Sequence, residues 1–102
     1  MNEVFNITVD MKVAEGYVEY CRFFINTNLK AAQDTFDQLS GLPYTNNNLL
    51  LRLSFVRSGS LPDEVLATKY CTLDELGRNC RLITLELFKY YNLDQYIPGD
   101  AL

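Results

Sequence analysis

The residues able to do chemistry in this chain are three cysteines (Cys21, Cys71, Cys80), a set of near-paired acids, and a few arginines set among tyrosines. Histidine is absent. That excludes Ser-His and Cys-His nucleophile pairs, the HExxH metal site and Cys₂His₂ zinc. It also removes the usual general base for work near neutral pH. Cys71 is the one thiol with a chemical argument behind it, because it precedes a helix N-terminus, where the dipole lowers a thiol pKa. The same position sets it against Leu76 as a hydrophobic staple, which predicts burial and makes a cysteine-dependent enzyme a remote alternative. The cysteines form no CxxC pair, so reduced and mostly buried thiols are expected.

The acids read as structure. Asp34 and Asp37 lie one turn apart on a solvated helix face, and Asp74 and Glu75 belong to a helix start, where negative charge is favoured. Asp63-Glu64 follows Pro62 in a turn. No glycine-rich phosphate loop and no metal-ligand spacing occurs, so no cofactor and no metal are expected. Net charge is −4 with nine Lys and Arg thinly spread, and nucleic-acid binding needs them clustered. Aromatics beside arginine on adjacent strands also serve readers of single-stranded RNA, but the acidic balance and the missing glycines speak against that role.

These side chains must be positioned by regular elements, and the clearest is the stretch 71–91. Thr72-Leu73-Asp74-Glu75 fits a capping box, with Cys71 and Leu76 as the staple. Leu73, Leu76, Cys80, Ile83, Leu87 and Tyr90 then recur at steps of three and four, drawing one apolar stripe along a helix. Asn92 is placed to close it in the left-handed conformation. On the side away from this stripe stand Leu82 and Leu85, with Phe88 at the margin. Those three form a candidate interface.

Residues 4–12 alternate cleanly, with Phe5, Ile7, Val9 and Met11 opposite Asn6, Thr8, Asp10 and Lys12, as a half-buried strand does. Ala14-Glu15-Gly16 suits a hairpin turn. Residues 17–25 form the returning strand, rich in aromatic and β-branched side chains. It is apolar on both sides: Tyr17, Glu19, Cys21, Phe23 and Ile25 on one, Val18, Tyr20, Arg22 and Phe24 on the other. Asn28 caps a first helix carrying Leu29, Ala32, Phe36 and Leu39, ended by Gly41 and Pro43. Residues 44–48 read as loop, 49–57 as a third strand, 58–63 as a turn and 64–71 as a fourth strand. Aligning the two helix starts at Asn28 and Thr72 matches apolar positions but not identities, which favours convergence over duplication.

The order ββαββα predicts an α+β domain of two layers over residues 1–102: a four-stranded antiparallel sheet with both helices on one face. Residues 93–102 are expected to be an irregular tail. No apolar run approaches the roughly 20 residues of a membrane span, and the first ten residues carry Glu3 and Asp10 without Lys or Arg. A cytoplasmic protein without membrane or nucleic-acid partners is the resulting expectation. The open sheet face is predicted to carry Arg52 with either Tyr20 and Arg22 or Tyr17, which makes Tyr17, Tyr20, Arg22 and Arg52 the candidate binding residues. The leading functional expectation is a non-catalytic interaction or regulatory module acting as a homodimer, with another protein as a further partner. The alternative is a small-molecule or peptide binder on the open face.

Overall fold

Alternation of apolar and polar residues makes a strand whose two sides differ, and a sheet of four strands, one of them apolar on both sides, builds the framework of this molecule. The computed structural model describes residues 3–45, 49–59 and 62–96. Loop residues Asn46, Asn47 and Asn48, turn residues Ser60 and Leu61, and the expected tail from residue 97 onward lie outside them. The elements are β1 (Val4–Val13), β2 (Gly16–Asn26), α1 (Leu29–Gln38), β3 (Leu51–Ser58), β4 (Glu64–Cys71) and α2 (Leu73–Tyr90), followed by a 3₁₀ turn at Asp94–Tyr96. The third strand begins at Leu51, two residues later than its composition suggests. All pairings are antiparallel, in the order β2-β1-β3-β4. This is the α+β architecture that the element order implied.

One side of the sheet is core. Phe5, Ile7 and Val9 of β1 and Leu51, Leu53 and Phe55 of β3 join Ala32 and Phe36 of α1 and Leu76 and Ile83 of α2 in a single buried cluster. Phe36 stacks on Phe55 with ring centroids 5.4 Å apart, and Phe5 meets the same ring at 5.9 Å. The cap of α2 forms as its residues require: the Glu75 amide donates to Thr72 Oγ1 at 3.2 Å and the Thr72 amide to Glu75 Oε1 at 2.9 Å. The helix then runs unbroken through Gly77 to Tyr90, and Asn92 closes it with φ 59°. Its stripe is buried at Leu76 and Ile83, whereas Leu73 in the first turn is 76% exposed.

Two polar side chains on the covered side tie the layers together, and nothing in the hydrophobic pattern announced them. Asn79 of α2 is buried and clamps Ser40, accepting from its amide at 2.8 Å and donating to its carbonyl at 2.9 Å. Lys69 of β4 stands in the row Cys21–Val9–Leu53–Lys69, among core residues. Its Nζ donates to the carbonyls of Phe36 (2.7 Å), Leu39 (2.8 Å) and Asp37 (3.2 Å). α1 has no basic residue in its own last turn, so the strand lysine supplies the positive charge that a helix C-terminus favours. Burial pushes this ammonium below its ordinary pKa, an effect that Asp37 partly offsets. Among the described residues, no helix is long and apolar enough to cross a membrane.

Candidate functional site

The uncovered side of the sheet takes its side chains from a register that alternation alone does not give. Opposite β1, Lys12 pairs with Tyr17 and Asp10 with Glu19, but Thr8 pairs with Arg22. The strand therefore carries a β-bulge at Tyr20, where one extra residue reverses the parity of the sides. Tyr17, Glu19 and Arg22 consequently share the open face, while Val18, Cys21 and Phe23 share the covered one. A second irregularity between Phe5 and Asn6 returns Ile25 to the core. This resolves the double-sided apolarity of residues 17–25, since neither strict alternation set is the one that folds.

Two cross-strand rows make the centre of the open face. One runs Glu19–Asp10–Arg52–Tyr70 and the next Arg22–Thr8–Ser54–Thr68. Arg52 Nε donates to Asp10 Oδ2 at 2.9 Å, and its guanidinium lies 4.0 Å from the Tyr17 ring centroid. Asp10 is buried although no helix covers it; Arg52 and its neighbours shield it. Arg22 donates from Nε and Nη2 to the two oxygens of Glu19, each at 3.1 Å, and pairs through Nη1 with Asp63 at 3.0 Å. Asp63 also accepts from the Ser58 hydroxyl at 2.8 Å. The Ser58 hydroxyl and Arg22 together hold the Asp63 carboxyl below its ordinary pKa. Between the arginines lies an open hollow of about 250 Å³, lined by Thr8, Ser54 and Val56 with Tyr17, Arg22 and Arg52 around them.

Tyr17, Arg22 and Arg52 thus come together. Tyr20 does not join them: it occupies the bulge and is half exposed, and partial burial first, then the charges of Cys21, Cys80 and Cys71, raise its phenol pKa. The candidate interface residues Leu82, Leu85 and Phe88 are each half-buried within the single chain, Leu82 against the core. α2 lies over β2, and the bulged strand offers it Cys21 and Phe23, so more than one narrow seam of the helix meets the sheet.

The larger apolar exposure is at the hairpin end of the covered side, which sequence reasoning did not single out. The row Val18–Met11–Leu51–Cys71 goes from 51% and 44% exposed at Val18 and Met11 to 7% at Leu51 and 0% at Cys71. Val13 and Tyr20 are exposed beside it. Period two had identified Met11 as inward-facing; only the reach of the helices decides that it stays uncovered.

Cys71 is fully buried, and its thiol is pushed up to about 11, first by burial and then by the Glu75 carboxylate. Desolvation outweighs the helix dipole, so the thiol keeps its proton at neutral pH and makes a poor nucleophile. A second groove, about 360 Å³, separates α1 from α2 above Ile25, with Asp34 and Glu86 on its walls. Asp34 is taken by Lys30 at 2.8 Å and Glu86 lies 3.7 Å from Lys89. Comparison of the chain with protein-family models, with curated proteins and with solved structures finds no match.

Proposed function

We propose that this chain is a non-catalytic protein-interaction module that works as a homodimer, joined through the hairpin end of its covered sheet face. The observation carrying this reading is the cross-strand row that passes from buried Cys71 and Leu51 to exposed Met11 and Val18. Those side chains belong to the core-facing side of β1 and β2 but extend beyond the helical cover. With Val13 and Tyr20 they make an uncharged apolar strip. A second copy related by a two-fold axis offers the same strip in return, so a symmetric contact buries both without enclosing an unpaired charge. An apolar centre with a tyrosine at its margin has the composition of an interface core. The buried, protonated Cys71 and the absence of histidine support a role without covalent chemistry.

Light scattering at micromolar concentration tests it. The expected mass is twice that of one chain, and Met11→Glu combined with Val18→Glu is expected to return it to one chain with an unchanged circular dichroism spectrum. A wild-type mass of a single chain sinks the reading. A second reading, a binder on the open face, is favoured by Arg52, whose Nη groups make no further hydrogen bond among the described residues.

A further inference from the structure

Arg22 and Arg52 stand on adjacent cross-strand rows and look alike in the sequence, yet their hydrogen-bonding capacity is used very differently. Arg22 engages all three nitrogens of its guanidinium with Glu19 and Asp63. Arg52 engages only Nε, with Asp10, and rests its flat side on Tyr17. Its Nη edge, carrying four N–H groups, has no partner among the described residues. The hydroxyls of Thr8 and Ser54, which line the same hollow, likewise form no hydrogen bond with a described side chain or backbone group. Both residues are nearly enclosed.

From this juxtaposition we infer that the hollow on the open sheet face is a carboxylate-recognition notch centred on Arg52. The guanidinium is preorganised from two directions, because buried Asp10 fixes the Nε edge and Tyr17 fixes the plane. A planar carboxylate meets the free Nη edge and accepts further hydrogen bonds from the Thr8 and Ser54 hydroxyls. Val56 and Val65 supply an apolar wall for the carbon chain behind that carboxylate.

The surrounding charge selects among anions. Asp10, Glu19 and Asp63 all line the hollow. They repel a dianionic phosphate more strongly than a carboxylate of single charge. The ligand is therefore a carboxylic acid of low charge: the acidic side chain of a protein segment, or a small free acid. Because the strip proposed for self-association lies on the opposite side of the sheet, the notch stays accessible in the dimer.

Titration of ¹⁵N-labelled protein with a capped peptide carrying a single glutamate, with propionate and with inorganic phosphate tests the assignment. The readouts are the Arg52 Nε–H resonance and the Thr8 and Ser54 amides, with light scattering on the same samples to follow self-association separately. One guanidinium edge in a wet notch gives a dissociation constant on the order of 1–10 mM. Arg52→Lys keeps the charge beside Asp10 but loses the planar edge, and is expected to weaken binding about tenfold. Arg78→Lys, on exposed α2 surface away from the hollow, is expected to leave it unchanged. Tighter binding of the peptide than of propionate identifies a protein segment as the source, and equal binding a small acid; either supports the notch. No shift with any carboxylate, tighter binding of phosphate, or equal losses from Arg52→Lys and Arg78→Lys overturns it.

Discussion

The two sides of this sheet solve burial by opposite means. On the covered side, Phe5, Ile7, Val9, Leu53 and Phe55 are enclosed by helices, and their contacts are apolar and nondirectional. On the open side Thr8, Asp10, Ser54 and Val56 are also buried, but the cover is made of arginine and tyrosine side chains. Long side chains shield apolar surface with their stems while their charged heads remain wet and paired. The lesson is that burial alone does not mark the core. A residue roofed by rigid helices resists change, whereas one roofed by side chains can be uncovered by a ligand.

The largest contrast is expected at Phe55, which sits between Phe5 and Phe36. Phe55→Ala should destabilise the fold by about 4 kcal/mol, read by urea unfolding. A loss under 1 kcal/mol would mean that this side is not the rigid one. Lys69→Met should cost about 2 kcal/mol, because it strips the carbonyls at the end of α1 of their donor. On the open side, Arg52→Met should cost about 1.5 kcal/mol by leaving Asp10 buried and unpaired. Adding Asp10→Asn should recover at least half of that loss, a coupling readable from a double-mutant cycle.

Alkali separates the sides without mutation. The folded Cys71 thiol holds its proton to about 11, against an ordinary value of 9.0. Its folded pKa is raised, so its contribution to stability is whole below pH 9 and is lost as the pH climbs through 11. A Cys71→Ala variant should lack this component of the loss, as followed by thermal unfolding across that window. The smallest effect has the opposite sign. Gly77 lies exposed inside α2 with open space where a Cβ would go, so Gly77→Ala should stabilise by about 0.5–1 kcal/mol.

Much of the covered side was legible. The period-two run of β1, the capping box at Thr72 and the stripe through Leu76 and Ile83 each depend on residues near in sequence, and each forms as its residue types require. The open side was legible only in its membership. Tyr17, Arg22 and Arg52 could be named, but their meeting depends on a bulge at Tyr20 that no spacing signals. Tyr20 itself went to the thiol side for the same reason. Leu82, Leu85 and Phe88 looked spare on a helical wheel, yet how much of a helix is buried depends on the breadth of what it lies upon.

What the amino-acid order determined by itself is local: which segments extend, which coil, where α2 begins and where it closes. Hydrogen bonding to near neighbours and the periodicity of apolar side chains suffice for that. The tertiary structure alone decided which lysine would serve the end of α1, where the helical cover would run out, and which arginine would keep its Nη edge free. Those outcomes depend on the register between strands distant in sequence, and a single extra residue in one strand exchanges the sides it presents.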